Sequence, residues 1–203
     1  MKIIAIGRNY ADHARELNNP IPTAPIIFMK PDTALLKNNE AFYHPSFSND
    51  IHHEIEIVLK ISKEGKHISE KFASTYYEEI SLGIDFTARD IQNECKKNGW
   101  PWELAKAFDH SAPVGYFISK KDIPDINNIH FRLDVNGNTR QKGNTKNMLF
   151  SFDHIISFVS KYITLKKGDL IFTGTPDGVQ KITLGDQMEG YLGDKKLLDF
   201  NIK

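Results

Sequence analysis

At 203 residues, with 40% hydrophobic and 26% charged side chains, the chain suits one globular domain able to bury roughly 70% of its unfolded surface. Lys plus Arg and Asp plus Glu both total 26, so no net field draws nucleic acid or an anionic membrane, and the expected partner is a small molecule. Cys95 is the only cysteine, which excludes an internal disulfide, and no apolar run suits a signal core or a membrane helix; the expectation is a soluble, cytoplasmic protein in a reducing compartment.

No internal repeat, low-complexity tract or Gly/Ser linker divides the chain, which supports a single unit over 1–203. Residues 2–7 (KIIAIG) read as a strand, and 9–20 (NYADHARELNNP) as a helix stopped by Asn-Asn-Pro. Prolines at 20, 22 and 25 make a loop, and 26–30 (IIFMK) and 53–61 (HEIEIVLKI) have strand character. The spacing predicts a helix over 68–80, a strand over 81–86 (SLGIDF), and a helix over 87–99 with Thr87 as N-cap, Asp90 in a capping box and Gly99 as the stop.

Residues 130–141 alternate around Asn136-Gly137, a strong hairpin signal. Residues 151–163 place Phe152, Ile155, Ile156, Val159 and Tyr162 on one stripe of an amphipathic helix. Strands follow at DLIFTGTP and KKLLDFNIK. Many short strands with a few helices indicate a β-rich α+β fold rather than a βαβ array.

Within IHHEIEIVLK (51–60), Glu54 and Glu56 project from one face of a strand, with Cα atoms about 7 Å apart. Ionised carboxylates on an apolar strand cost several kcal/mol unless something cationic meets them. Asp85, in SLGIDFTARD, is the third acid if the two strands are neighbours, and three hard oxygens suit Mg2+, Mn2+ or Ca2+. The plainer alternatives are a solvated strand face for the glutamates, an Asp85–Arg89 ion pair, and surface or capping roles for His52 and His53.

The stretches GRNYADHARE, FMKP, HHEIEIVL, LGIDFTARDIQ, PWELAKAFDHSAPVG, VNGNTRQ and LIFTGTPDGV together resemble the fumarylacetoacetate hydrolase family, nearest its short single-domain acylpyruvases and oxaloacetate decarboxylases. The resemblance implies a mixed β-sandwich roll like that family's C-terminal domain, a homodimer, and a mobile lid over 8–25. It carries over Glu54, Glu56 and Asp85 as ligands of Mg2+ or Mn2+. It also carries over Arg89, Lys106 and Thr175 as contacts to the substrate carboxylate and oxyanion, His13 and Glu16 as the catalytic pair, and Gln92 as a polar residue within reach of that pair. TGTPDGVQKITLGDQ departs from the usual glycine-rich continuation, which leaves the distal pocket wall unassigned.

These residues suit a defined chemistry. A 2-oxo acid presents carboxylate and keto oxygens to a divalent ion, and breaking its C3–C4 bond sends electrons to the 2-oxo oxygen as a metal-bound pyruvate enolate. His13 and Glu16, three apart on a helix, form a dyad able to activate water. Without the resemblance, Lys106 reads as a surface lysine, Thr175 as a turn hydroxyl and the dyad as an exposed pair. The implied function is hydrolysis of acylpyruvates, with decarboxylation or tautomerisation of oxaloacetate. The alternatives are isomerisation or decarboxylation of a 2-hydroxyhepta-2,4-diene-1,7-dioate type of substrate, or a carboxylate-binding module without turnover.

Overall fold

The structure, a computed structural model, describes residues 1–17 and 19–203. Its largest layer is a six-stranded sheet with the spatial order Ile26–Lys30, Ile3–Gly7, Leu170–Phe172, Ile55–Ile61, Tyr77–Ile84, Ile118–Ser119. Only Ile3–Gly7 and Leu170–Phe172 run parallel within it; the other pairs are antiparallel. A four-stranded antiparallel sheet, Asn138–Asn144, His130–Val135, Gln187–Leu192 and Lys195–Asn201, faces it. Contact is close enough that a Cβ on Gly190 would lie 3.3 Å from Ile55 Cδ1. This is the β-rich mixed sandwich that the many short strands imply.

The strand Ile55–Ile61 is buried on both faces, which is why it reads as a nearly continuous apolar run. Ile55, Ile57 and Leu59 pack with Leu82, Leu133 and Phe200 between the sheets. Val58 packs with Ile3, Ala5 and Phe172 on the opposite side. By alternation Glu56 shares the Val58 face, so the acid points away from the inter-sheet core.

Several boundaries differ from the sequence reading. The helix expected over 68–80 is one turn, Glu70–Ala73, followed by a 3-10 turn at Ser74–Tyr76 and a strand from Tyr77. The run Tyr77–Ile84 satisfies either periodicity, and pairing with Ile55–Ile61 decides for the strand. Thr87 is not an N-cap: Thr87–Ala88 pairs with Ile51 and His52, and the helix begins at Arg89. It ends at Asn98, with Gly99 at φ 69° as expected.

The first helix spans only Ala11–Glu16; Asn18, part of the expected Asn-Asn-Pro stop, lies outside the described residues. Phe152–Tyr162 is the amphipathic helix, but Tyr162 is 66% exposed. A 3.6-residue period started at Phe152 reaches position 163 rather than 162, and Ile163 is the residue that packs inward. The hairpin turns where expected, with positive φ at both Asn136 and Gly137. No helix among the described residues is long and apolar enough to cross a membrane.

Candidate active site

Strand register assembles the acids. Ile55 faces Ile84 and Glu56 faces Gly83 across the antiparallel pair, so the next rung sets Glu54 opposite Asp85, whose N–H donates to the Glu54 carbonyl at 2.8 Å. Opposed residues share a face, which puts Glu54, Glu56 and Asp85 on one side. All three are buried, and their ligand oxygens lie within 4.8 Å of one another. Glu54 falls between Ile51–His53 and Ile55–Ile61, and Asp85 lies one residue past Tyr77–Ile84, so neither sits mid-strand as the sequence implies. The solvated-face alternative does not hold.

Three buried cations accompany the three acids. Lys106 Nζ donates to Glu54 Oε2 at 2.8 Å and Asp85 Oδ2 at 2.7 Å. Arg89 donates through NH2 to Glu54 Oε1 at 2.5 Å and through NH1 to Gln92 Oε1 at 2.7 Å. The alternative Asp85–Arg89 pair is therefore absent, because Arg89 pairs with Glu54. Nor is Lys106 a surface lysine; it is 3% exposed. Lys30 Nζ lies 2.8 Å from Asp85 Oδ1, an oxygen that nonetheless receives no properly directed hydrogen bond.

The electrostatics follow from these partners. Burial pushes the Glu54 carboxyl up, but Lys106 and then Arg89 outweigh it and hold the group well below the ordinary range. Burial also opposes the Lys106 ammonium, yet Asp85 and Glu54 raise it overall. Lys30 is lowered by burial, which Asp85 only partly offsets. Glu56 differs: its Oε2 accepts from Gly174 N–H at 2.7 Å, and no ion pair reaches it among the described residues. Burial, then Asp85, then Glu54 drive its carboxyl well above the ordinary range.

This donor set fits a divalent cation. Asp85 Oδ1 is underused, Glu56 is crowded by like charge, and all candidate ligands are hard oxygens. Oxygens around an octahedral Mg2+ at about 2.1 Å stand about 3–4 Å apart, so small side-chain shifts would close the set.

Eight of the nine residues singled out in the sequence line one cavity: His13, Glu54, Glu56, Asp85, Arg89, Gln92, Lys106 and Thr175. Glu16 stands behind His13, its Oε2 3.3 Å from Nδ1 and its Oε1 accepting from Gly178 N–H at 3.0 Å. Burial raises the Glu16 carboxyl, but the His13 and Gly178 hydrogen bonds lower it overall. His13 is 4% exposed, so the dyad is not the surface pair that spacing alone suggests.

Sequence reasoning missed Lys30 and Gln141. Lys30 ends an ordinary-looking strand, and its only signal is that it shares a face with Phe28, which lines the cavity. Gln141 Oε1 accepts from His53 Nδ1 at 2.9 Å and Ile55 N–H at 3.0 Å, while its Nε2 donates to Thr175 Oγ1 at 2.9 Å and the Pro176 carbonyl at 3.0 Å. His53 is thus a buried strut rather than a surface group, and burial lowers its pKa. Thr175 is fixed from behind, with its hydroxyl hydrogen free to donate.

Comparison with known proteins gives a consistent outcome. The fumarylacetoacetate (FAA) hydrolase C-terminal family model matches residues 2–203. The chain is 42% identical over 201 residues to the mitochondrial oxaloacetate tautomerase of Bos taurus, covering 99% of this chain and 91% of that protein. It is 41% identical over 203 residues to the mitochondrial oxaloacetate decarboxylase of Dictyostelium discoideum, covering 99% and 93%. Among solved structures, fumarylpyruvate hydrolase from Pseudomonas aeruginosa in complex with Mn2+ and pyruvate matches with a TM-score of 0.93 at 33% identity, covering 100% of this chain and 89% of that one.

Proposed function

The chain belongs to the fumarylacetoacetate hydrolase family, and on that premise we propose that it is a divalent-metal-dependent enzyme acting on short 2-oxo acids, hydrolysing acylpyruvates and decarboxylating or tautomerising oxaloacetate. One observation carries the reading: three converging acids and a Glu16-backed histidine open into the same cavity. Glu54, Glu56 and Asp85 would hold the ion, with Mg2+ as the resident metal and Mn2+ or Ca2+ as substitutes. When bound, the ion supplies Lewis acidity toward the carboxylate and keto oxygens of the 2-oxo acid.

The remaining roles belong to the chain's own side chains. Lys106 spends two N–H groups on Glu54 and Asp85, which leaves a third for a substrate oxygen. Arg89 Nε is buried without an acceptor and is available to the substrate carboxylate. The Arg89 bond occupies the Gln92 carbonyl, so its amide N–H groups are left to orient substrate. Thr175 donates its hydroxyl to the oxygen on which charge develops. Glu16 holds the His13 Nδ1–H, so Nε2 is the basic nitrogen. It takes a proton from water attacking the distal carbonyl, or relays one at C3 during enol–keto exchange.

Residues 8–25 act as the lid of a single catalytic unit over 1–203, pivoting at the anchored Asn9 and latched where Glu16 meets Gly178. The protein is a homodimer of twice 23.2 kDa, which sedimentation measures. The buried single cysteine suits a cytoplasmic protein, although the two relatives are named as mitochondrial; cell fractionation decides. The central test is a coupled assay of acetylpyruvate and oxaloacetate with and without Mg2+ or Mn2+, alongside His13→Ala. Turnover needs the ion, and the variant loses acetylpyruvate hydrolysis by about 100-fold or more with metal affinity nearly intact. Loss of metal affinity instead would refute the role given to His13.

A further inference from the structure

A second cavity opens at the far end of the strand Ile55–Ile61. It encloses about 320 Å3, within the range of small-molecule sites. Glu56, Val58 and Lys60 alternate onto one face of that strand, so Lys60, which lines this cavity, stands about 13 Å from Glu56 with the Val58 core between them. Among the described residues the two cavities share no lining side chain, and the function proposed above gives this one no role.

Its lining combines an apolar floor with charge of one sign. Leu35, Val114, Phe117 and Leu170 form the floor and pack in the Val58 core. The charged side chains that line it are Lys37 and Lys60, with no acid among the described residues. Lys60 Nζ stands 5.0 Å from the Phe117 ring centroid, and its carboxylate partner, Glu79 at 2.6 Å, forms a solvent-exposed pair that holds it weakly. Lys37 has no ion-pair partner among the described residues. Asn39 Oδ1 is buried at this cavity without a hydrogen-bond partner, so turning the amide breaks no bond at that oxygen and presents an N–H donor.

We propose that this cavity is a second ligand site and that it takes an amphipathic monocarboxylate of hexanoate size. The chain lies over Phe117 and Leu170, and the carboxylate meets Lys37, Lys60 and the Asn39 amide. A second copy of this chain fits the same surface poorly. A two-fold interface sets a patch against itself, so a dimer centred here would bring lysine against lysine over an apolar floor. The site is separate from the catalytic cavity and does not depend on the reaction class.

Calorimetry tests this with three probes. Hexanoate is compared with hexan-1-ol, which keeps the chain without the charge, and with acetate, which keeps the charge without the chain. Mn2+ and oxalate are present throughout to occupy the catalytic cavity. Hexanoate binds about tenfold or more tighter than either comparison probe. The double variant K37M/K60M, which keeps most of each apolar stem, brings hexanoate to the level of hexan-1-ol. Should that variant fold poorly, Lys37→Met alone, at an exposed position, narrows the gap. Hexanoate that binds no tighter than the other two probes, or equally tightly in the variants, overturns the site. Sedimentation of Tyr116→Glu, at a lining residue 61% exposed, tests the other occupant. A wild-type oligomer that this variant splits means that a second copy covers the face, which also overturns the site.

Discussion

Glu54 and Lys106 hold each other in their charged states, and the same low-dielectric setting acts on their neighbours with opposite sign. Lys96 is the residue where this reaches measurable pH. The groups facing it are Arg89 on its own helix, Arg8, Lys106 and Glu54, and burial with the three cations holds it at about 8 against an ordinary 10.5. The charge is present below that value and lost above it. Lys96 lines the cavity that receives the anionic substrate, so the ratio of wild-type kcat/KM to that of Lys96→Arg, in which the shared general base cancels, is level on the acid side and declines as pH rises through about 8. A ratio that stays flat across that range would mean that the Lys96 charge does not act on the substrate. At this scale legibility follows spacing only in part. Alternation puts Glu54 and Glu56 on one face and a separation of three does the same for His13 and Glu16, but spacing alone also fits a solvated face and an exposed pair, and the roles came from the family resemblance; Lys30 and Gln141 gain meaning only from partners 55 and 88 residues away.

The loop after Leu170–Phe172 shows how an element positions chemistry. Gly174 donates to Glu56, adopts φ 102°, and would bring a Cβ within 2.5 Å of the Asn9 Cβ. Asn9 cannot yield easily, because its buried side chain bonds the Phe150 carbonyl and N–H and the Thr173 carbonyl. Gly174→Ala should cost about 3 kcal/mol, combining backbone strain with overpacking, and should weaken metal binding through Glu56. Gly185→Ala is the control: φ is 92° there, but nothing lies within 4 Å. Urea unfolding of both variants separates the terms, and equal losses would mean that the close approach to Asn9 is unimportant. The hairpin at Asn136-Gly137 was readable because turn chemistry is local. The strand Tyr77–Ile84 was readable only from Ser81 onward, because pairing of its first half with the distant Ile55–Ile61 overrides a pattern that also fits a helix.

For the molecule as a whole, Glu54 and Asp85 are ion-paired by three buried cations, and Glu56, which accepts from Gly174 N–H and is pushed toward its neutral form, needs no counter-charge, so folding should not wait for metal. Chelator-treated protein is expected to keep one cooperative thermal transition. An ion at a hundred times its Kd adds about 2.7 kcal/mol, a rise of roughly 5–10 °C in Tm for a chain of this size. Scanning calorimetry measures both, and a chelated chain without a transition would contradict the charge matching. Architecture class was readable from the density of short strands, but which strands are neighbours was not, and the acidic triad depends on that adjacency. Because the acids occupy the last rungs of a ladder buried on both sides, their spacing is set by backbone pairing rather than by the surrounding loops. Exchanging rim side chains such as Arg8, Lys96 and Trp102 thus offers a route to retargeting the catalyst, with the anchoring carboxylates left as a fixed chassis.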